Sequence, residues 1–484
     1  MSIEPTRTEG HYVGGRWREP SGTDRIEVRN PATEEVLAAV PSATAGEVET
    51  AVATANEGQR DWGRRPARER GDLVREVADL ILDHKDELAD LLVEEVGKPR
   101  AAAEGEVEAA ADIVEYNAEW DRRIEGDILP GDTRGESLHL QRQPVGTVAG
   151  IVPWNYPLAV FARKFAPALV AGNALVAKPS EVTPLATLHL VELIDEHVDI
   201  PEGVFNLVTG GGETGSALVT DDRIDMISMT GSVETGKAIM RQAADNLTKV
   251  SLELGGKAPA IVWKDADIDQ AVEDVLTARI TNAGQVCTCA ERVYVHSDVA
   301  EEFRERYVDA AADVTIGDPT TNPDMGPQVS ESELEKTRTA VARAREEGAE
   351  VILGGSRPEG EQFDEGYWFE PTVVTGVDQE MDIIQREVFG PVMPIVSVDT
   401  LDEAIEYAND SRYGLSAYVF TDSYRTAMRA TEDLEFGETY INRTLGESWH
   451  GHHIGWNESG MGGEDGKHGA MKYTQIKSVY HNFG

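Results

Sequence analysis

Short apolar runs of strand length alternate with longer amphipathic stretches along most of this chain, and that rhythm leaves few folds open to it. The apolar runs fall at 175–177, 204–208, 226–229, 260–263, 293–295 and 417–420. Elsewhere the apolar spacing is helical: Leu73, Val77, Leu80, Ile81, Leu88 and Leu91 share one face, and that stretch stops at Gly97-Lys98-Pro99. Asp267 followed by Gln270, and Thr400 followed by Glu403, read as capping boxes that open helices. Strands and helices in alternation predict α/β layers with mainly parallel sheets. Residues 137–143 alternate instead, with Leu138 and Leu140 on one face, which suits an exposed arm. No internal repeat or low-complexity linker stands out.

A chain of 484 residues has room for two or three domains with sizeable cores. Its charge narrows the partners. Lys and Arg number 44 against 88 Asp and Glu, a formal net charge of -44, which repels phosphate backbones and anionic lipid. Nucleic acid and membrane surfaces are therefore not expected partners. The acidity is spread, as at 104–108, 265–274 and 331–350, and reads as a solvated coat. We hypothesise that the coat serves a high-salt cytoplasm, where screening relieves self-repulsion. Full stability in dilute buffer would count against that idea. The only cysteines, Cys287 and Cys289, rule out a disulfide framework and fit a reducing compartment. Residues 1–10 carry no signal-peptide core, and the most apolar stretch, 151–176, is broken by Asn155, Arg163, Lys164 and Asn173. A cytoplasmic protein is expected.

Cys287 lies in a small, polar turn, Thr-Asn-Ala-Gly-Gln-Val-Cys at 281–287, which leads into a β-branched strand. A cysteine there can meet substrate as a nucleophile, but by itself it reads equally well as a small core residue. Cys289 reads as core. Asn155 sits in Pro-Trp-Asn-Tyr-Pro at 153–157, where rigid backbone on both sides could fix an amide donor for an oxyanion; a turn asparagine is the plain alternative. Glu253 stands between apolar neighbours and before two glycines, where desolvation would suit it as a general base, although an edge-strand surface charge reads the same way. Lys178-Pro-Ser-Glu181 follows a strand directly, the place where doubly wound folds hold cofactor ribose, or else an ordinary turn.

Six segments occur together in one order: Pro-Trp-Asn-Tyr-Pro, Lys-Pro-Ser-Glu, Met-Thr-Gly-Ser-Val-Glu-Thr-Gly at 229–236, Leu-Glu-Leu-Gly-Gly-Lys at 252–257, Gly-Gln-Val-Cys at 284–287 and Glu-Val-Phe-Gly-Pro at 387–391. In this order they resemble the aldehyde dehydrogenase superfamily over essentially the whole chain. The resemblance implies a Rossmann-type NAD-binding domain (1–125 and 144–252), a catalytic α/β domain (253–455) and a β-arm for oligomerisation (126–143 and 456–484). It implies Cys287 as nucleophile, Asn155 with the Cys287 backbone N–H as oxyanion hole, and Glu253 as activator of the hydrolytic water. A thioester on Cys287 would link the oxidative and hydrolytic halves. Pro153, Trp154, Lys178, Ser180, Glu181, Gly210, Ser232, Glu387 and Phe389 match its cofactor side. Gly210-Gly-Gly-Glu-Thr-Gly215 fits a dinucleotide fingerprint, but in this family the phosphates do not sit on such a loop, and Gly210 is expected at the adenine. Glu181 would repel a 2′-phosphate, so NAD is expected, with NADP possible. A homodimer or homotetramer is expected.

Phe-Gly-Glu-Thr-Tyr-Ile-Asn-Arg at 436–443, with His453-Ile-Gly-Trp456 and the glycine-rich 462–469, is similar to the lactaldehyde and glycolaldehyde dehydrogenase branch. That implies a small 2-hydroxyaldehyde substrate met by Arg163, Thr288, Glu447 and His453. Thr288 stands where the branch usually carries asparagine. The runner-up is a hydrolytic dehydrogenase of 2-oxoglutaric or succinic semialdehyde, whose second carboxylate would need an arginine such as Arg163. A CoA-acylating enzyme would not need Glu253, and a binding protein without catalysis would not retain Cys287, Glu253 and Asn155. Arg163 and Lys164 also read as partners of acidic neighbours. His450, His452 and His453 resemble a metal-binding tract, although no metal is expected in the chemistry.

Overall fold

The structure, a computed structural model, describes residues 10–484; residues 1–9, most of the polar N-terminal stretch, lie outside the described residues. Each of the six apolar runs is a strand, displaced by at most three residues at either end: Ala174–Lys178, Phe205–Leu207, Met226–Thr230, Ala258–Val262, Ala290–His296 and Ser416–Phe420. Most are buried along their whole length, as a sheet covered on both faces requires. They belong to two sheets. The larger runs Gly460–Met461, Lys249–Glu253, Met226–Thr230, Thr147–Ile151, Ala174–Lys178, Phe205–Leu207, His11–Tyr12, Trp17–Arg18. Its five central strands are parallel and the outer ones antiparallel. The second runs Glu350–Leu353, Thr372–Thr375, Val392–Val398, Ala290–His296, Ala258–Val262, Ser416–Phe420, Glu438–Ile441, parallel apart from its first pair.

In the larger sheet the strand order reverses at Thr147–Ile151: Ala174–Lys178 and Phe205–Leu207 build outward on one side, Met226–Thr230 and Lys249–Glu253 on the other. Such a switch point opens a crevice beyond the strand ends. Pro153 and Trp154 follow one strand into it, and Gly231 and Ser232 follow the next. The helix Pro157–Val170 then packs back on the sheet with every residue buried except Arg163. It is 14 residues long, and no helix among the described residues is long and apolar enough to cross a membrane.

The alternating segment is the strand Glu136–Pro144, paired antiparallel with Asp127–Pro130 and with Thr474–Asn482. Ile128, Leu129, Ile476 and Tyr480 on this arm are exposed. Of both expected boxes only the N-cap half forms: Asp267 accepts from the Gln270 N–H and Thr400 from the Glu403 N–H, while Glu403 reaches the Asp399 N–H instead. Thr44 and Glu47 make a reciprocal box at a further helix start.

Two expectations change. The helical stretch from Leu73 is two helices, Ala67–Asp83 and Lys85–Val96, broken at His84, where φ is -109° and ψ 24°. Gly97 closes the second at φ 80°, a left-handed turn that glycine enters without strain. The acidic run at 104–108 is not all coat. Glu106 is buried, paired with Lys98, and accepts the Leu158 and Ala159 N–H groups (3.0 and 3.3 Å). Glu95 caps the helix Leu185–His197 in the same way through Leu185 and Ala186. Burial pushes its carboxyl up to about 8 despite those N–H donors. Each carboxylate satisfies helix-end donors that would otherwise be orphaned.

Candidate active site

A cavity of about 660 Å³ lies between the two sheets. Pro153, Trp154, Asn155, Arg163, Ser232, Cys287, Thr288, Glu387, Phe389, Glu447 and His453 all line it, so eleven of the sixteen sequence candidates meet in one space. Lys178, Ser180, Glu181 and Gly210 form a separate group beside it, and Glu253 lies behind His453.

Cys287 is half-buried on the loop before the strand Ala290–His296, and that loop is tightly held. Asn282, Ala283 and Gly284 all take positive φ (50°, 54° and 77°). Two non-glycine residues in this region carry strain, so their surroundings must hold them there. Gln285, fully buried, does part of that. Its amide donates to the Asn282 carbonyl (2.9 Å), and its side-chain oxygen accepts the Val329 N–H (2.9 Å). The Asn155 amide donates to the Gln285 carbonyl (2.9 Å), and the Asn155 carbonyl accepts from Asn282 (3.2 Å). An amide has two N–H bonds, so Asn155 keeps one for another acceptor. Cys289 is fully buried and its thiol is pushed up to about 12 by that burial, the behaviour of a core cysteine.

Glu253 ends its strand, and it does not lie on an edge, because Gly460–Met461 adds one more strand beside it. It is 2% exposed, and neither carboxylate oxygen has a hydrogen-bond partner. Burial pushes its carboxyl up to about 7, with His453, 4.0 Å away, opposing the shift. A carboxyl poised near neutrality and free of partners can take a proton from water.

His453 is the hub of the cavity's far end. Its Nδ1 lies 3.1 Å from Glu438 Oε1 and 4.0 Å from Glu447 Oε1, and its ring is in hydrogen-bond reach of the Cys287 thiol. Burial opposes a charge on the ring, but Glu438, the thiol and Glu447 outweigh it and raise His453 well above its ordinary value. Burial raises the Cys287 thiol above its ordinary value, with the His453 contact only partly opposing it. Glu447 accepts from Thr288 Oγ1 (3.3 Å) and from Arg163 (3.3 Å). Arg163 also pairs with Asp465 (2.8 Å), and Lys164 with Glu464 (2.8 Å). Both bases are therefore committed to acidic neighbours.

The histidine tract does not converge. His450 is exposed, and His452 Nδ1 faces the Glu464 carbonyl (2.9 Å), so only His453 reaches the cavity. Sequence reasoning missed Glu438, Glu464 and Lys472. Their signal was weak: charged residues set among glycines and aromatics.

The Lys178 Nζ donates to the Gly210 carbonyl (2.7 Å), the Pro179 carbonyl (3.0 Å) and Glu181 (3.4 Å). The Glu181 side chain stays 40% exposed, which leaves its carboxylate open to a ribose hydroxyl. Ser180 accepts the Val182 N–H, and Ser232 caps the helix Val233–Ala243 where it lines the cavity. Gly210, at φ 147°, has no room for a Cβ against Thr214. Trp154 meets the edge of Phe389 with ring centroids 5.4 Å apart. Glu387 accepts the Gly256 N–H (2.8 Å) and is pushed up to about 8 by burial and then by Glu291. An open carboxylate at one end, a helix N-terminus in the middle and an aromatic pair at the other make a donor set that fits a dinucleotide.

A profile of the aldehyde dehydrogenase family matches residues 17–479. The chain is 46% identical over 472 residues to the lactaldehyde dehydrogenase of Escherichia coli (strain K12), covering 97% of this chain and 98% of that one. It is 45% identical over 474 residues to the 3,6-anhydro-alpha-L-galactose dehydrogenase of Vibrio sp. (strain EJY3), covering 98% of each. A solved 3,6-anhydro-L-galactose dehydrogenase in complex with NAP superposes with a TM-score of 0.96 at 46% identity, over 98% of this chain and 99% of that one.

Proposed function

The chain belongs to the aldehyde dehydrogenase family, and from that premise we propose that it oxidises a small, neutral 2-hydroxyaldehyde to its carboxylate with NAD or NADP. The observation that carries the substrate reading is the cluster of Glu438, Glu447 and His453 beside Cys287. A buried imidazolium between carboxylates offers a substrate hydroxyl both donors and acceptors, and a site built to bond a hydroxyl rejects analogues without one. The same cluster disfavours the semialdehyde alternative. Arg163 already pairs with Asp465 and Glu447, and a second carboxylate on the substrate would meet Glu447 first.

In this reading the Cys287 sulfur attacks the aldehyde carbon, forming the S–C bond and leaving charge on the oxygen. The free N–H of the Asn155 amide takes that oxyanion. A cofactor would be held by Glu181, Ser232, Glu387 and the Trp154–Phe389 pair and would accept the substrate's hydride; as that C–H bond breaks, the oxyanion re-forms a carbonyl and leaves a thioester on Cys287. Glu253 then takes a proton from water as the water oxygen attacks the thioester carbon. The C–S bond breaks, and carboxylate and Cys287 thiolate part. NAD is favoured over NADP because the exposed Glu181 carboxylate would repel a 2′-phosphate. Residues 253–455 would carry the chemistry and 1–125 with 144–252 the cofactor. Residues 126–143 with the C-terminal strand would pair subunits into a dimer or tetramer.

The test is reduced-cofactor formation in high salt with L-lactaldehyde, glycolaldehyde, 3,6-anhydro-galactose and 2-oxoglutaric semialdehyde, alongside Cys287→Ala. Turnover on the hydroxyaldehydes, absent in the variant, is expected. Turnover confined to the semialdehyde would overturn the substrate reading, and full activity in Cys287→Ala would overturn the mechanism.

A further inference from the structure

We propose that Glu438, Glu447 and His453 form a binding site for a divalent transition-metal ion of the zinc class, seated at the far end of the cavity. The three side chains come from a strand and the loop after it, yet they offer three ligand atoms that all lie within 4.8 Å of one another. Ligands on a zinc ion stand about 2.0–2.2 Å from the metal. In a tetrahedron that puts them about 3.3 Å apart. The Nδ1 to Glu438 distance of 3.1 Å already matches, and Glu447, at 4.0 Å, has only to close in. One imidazole and two carboxylates suit zinc and its first-row neighbours, whereas magnesium and calcium favour an all-oxygen set.

The surroundings are those of a metal site as well. Ligating carboxylates and imidazoles are normally oriented from behind by other groups. Tyr440 donates to the second oxygen of Glu438 (2.8 Å), leaving Oε1 to face His453. Thr288 and Arg163 fix Glu447. On the far side of the ring, Glu253 Oε2 lies 4.0 Å from His453 Nε2, beyond hydrogen-bond range but near enough to close on the ring and steady a metal-bound imidazole. Glu253 is also the buried carboxylate left with no hydrogen bond at all. The charges agree. Glu253, Glu438, Glu447, Glu464 and Asp465 are five carboxylates gathered around three fixed cations, Arg163, Lys164 and Lys472. Counted at their formal charges, the carboxylates outnumber those cations by two, the charge a divalent ion would supply. The chain's net charge of -44 draws cations toward it besides.

An ion there would cover the groups that meet the substrate hydroxyl, so zinc would compete with aldehyde. That consequence rests on the functional reading above; the binding itself does not. The experiment is therefore zinc binding by equilibrium dialysis to the full chain carrying Cys287→Ala, which removes the thiol as a rival ligand. About one tight ion per chain is expected, with binding that tightens as pH rises because a proton is released. Adding His453→Gln or Glu447→Gln is expected to weaken it about a hundredfold or more. Adding His452→Gln is expected to leave it unchanged. Glu438→Gln serves as a second ligand variant, with melting of each zinc-free variant as the check on folding. Equal affinity in all the ligand variants would overturn the site. So would loss confined to His452→Gln, which would put the ion on the His452–His468 pair, whose rings lie 5.2 Å apart. Binding weaker than about millimolar in the Cys287→Ala chain would overturn it too.

Discussion

Glu253 and Glu464 lie in neighbouring parts of one buried cluster, each 2% exposed, and they are treated in opposite ways. Glu464 has Lys164 at 2.8 Å and Lys472 at 3.7 Å. Burial alone would raise its carboxyl, but those two ammonium groups, then Arg163, hold it down to about 2. Glu253 has no such partner and stands at about 7, chiefly through burial. Burial costs both carboxylates; what separates them is whether a cation stands within contact. A carboxylate kept ionised anchors structure, and one left unpaired near neutrality can exchange a proton with water.

The comparison can be broken most sharply at Glu253. Replacing it with Gln is expected to lower kcat for carboxylate formation about 10²–10⁴-fold, as loss of a general base does. A burst of reduced cofactor in the first turnover should survive; an unchanged steady-state rate would mean the unpaired state has no chemical role. The paired side is tested by Lys164→Met, which removes the nearer cation from Glu464. Leaving that carboxylate underpaired should cost about 3 kcal/mol in urea unfolding, and loss well under 1 kcal/mol would show that Lys472 alone suffices. Glu253→Gln should do the reverse. The folded state raises this carboxyl, so ionised Glu253 destabilises the protein above its folded value. Removing the charge should therefore add roughly 1–3 kcal/mol at about pH 8 and little at about pH 5. For Glu464, lowered in the folded state, the sign is opposite. Its contribution is present above the ordinary glutamate range and is lost as pH falls through about 2. The smallest effect is the rate profile. Activity should fall about tenfold per unit as pH drops below the Glu253 value of about 7.

Much of the fold was legible because a strand buried on both faces must be apolar throughout, so the runs at 175–177, 260–263 and 417–420 could hardly be anything else. The break at His84 was not, since neither glycine nor proline marks it. In the site, Cys287, Asn155 and Glu253 stood out by their neighbours in the chain. The partners of Arg163 and Lys164 did not. Lys164 and Glu464 are separated by 300 positions, and no local pattern announces a pairing at that range. Glu106 and Glu95 were hidden differently: an acidic residue on an amphipathic helix reads as solvated until the helix ends that need its oxygens are placed against it.

One stretch late in the chain reaches several of these places. Glu447 and His453 line the cavity with Glu438 beside them, Gly460–Met461 lies beside Glu253, Glu464 and Lys472 complete the ion cluster, and Thr474–Asn482 pairs with the arm. During synthesis, Cys287, Asn155 and Glu253 are all made well before residues 438–482 leave the ribosome. Until then the strand Lys249–Glu253 has one edge bare and Lys164 has no Glu464 to meet. A nascent chain can fold much of its first sheet and still be unable to turn over an aldehyde. Its exposed edge in that interval is where a chaperone would be most needed.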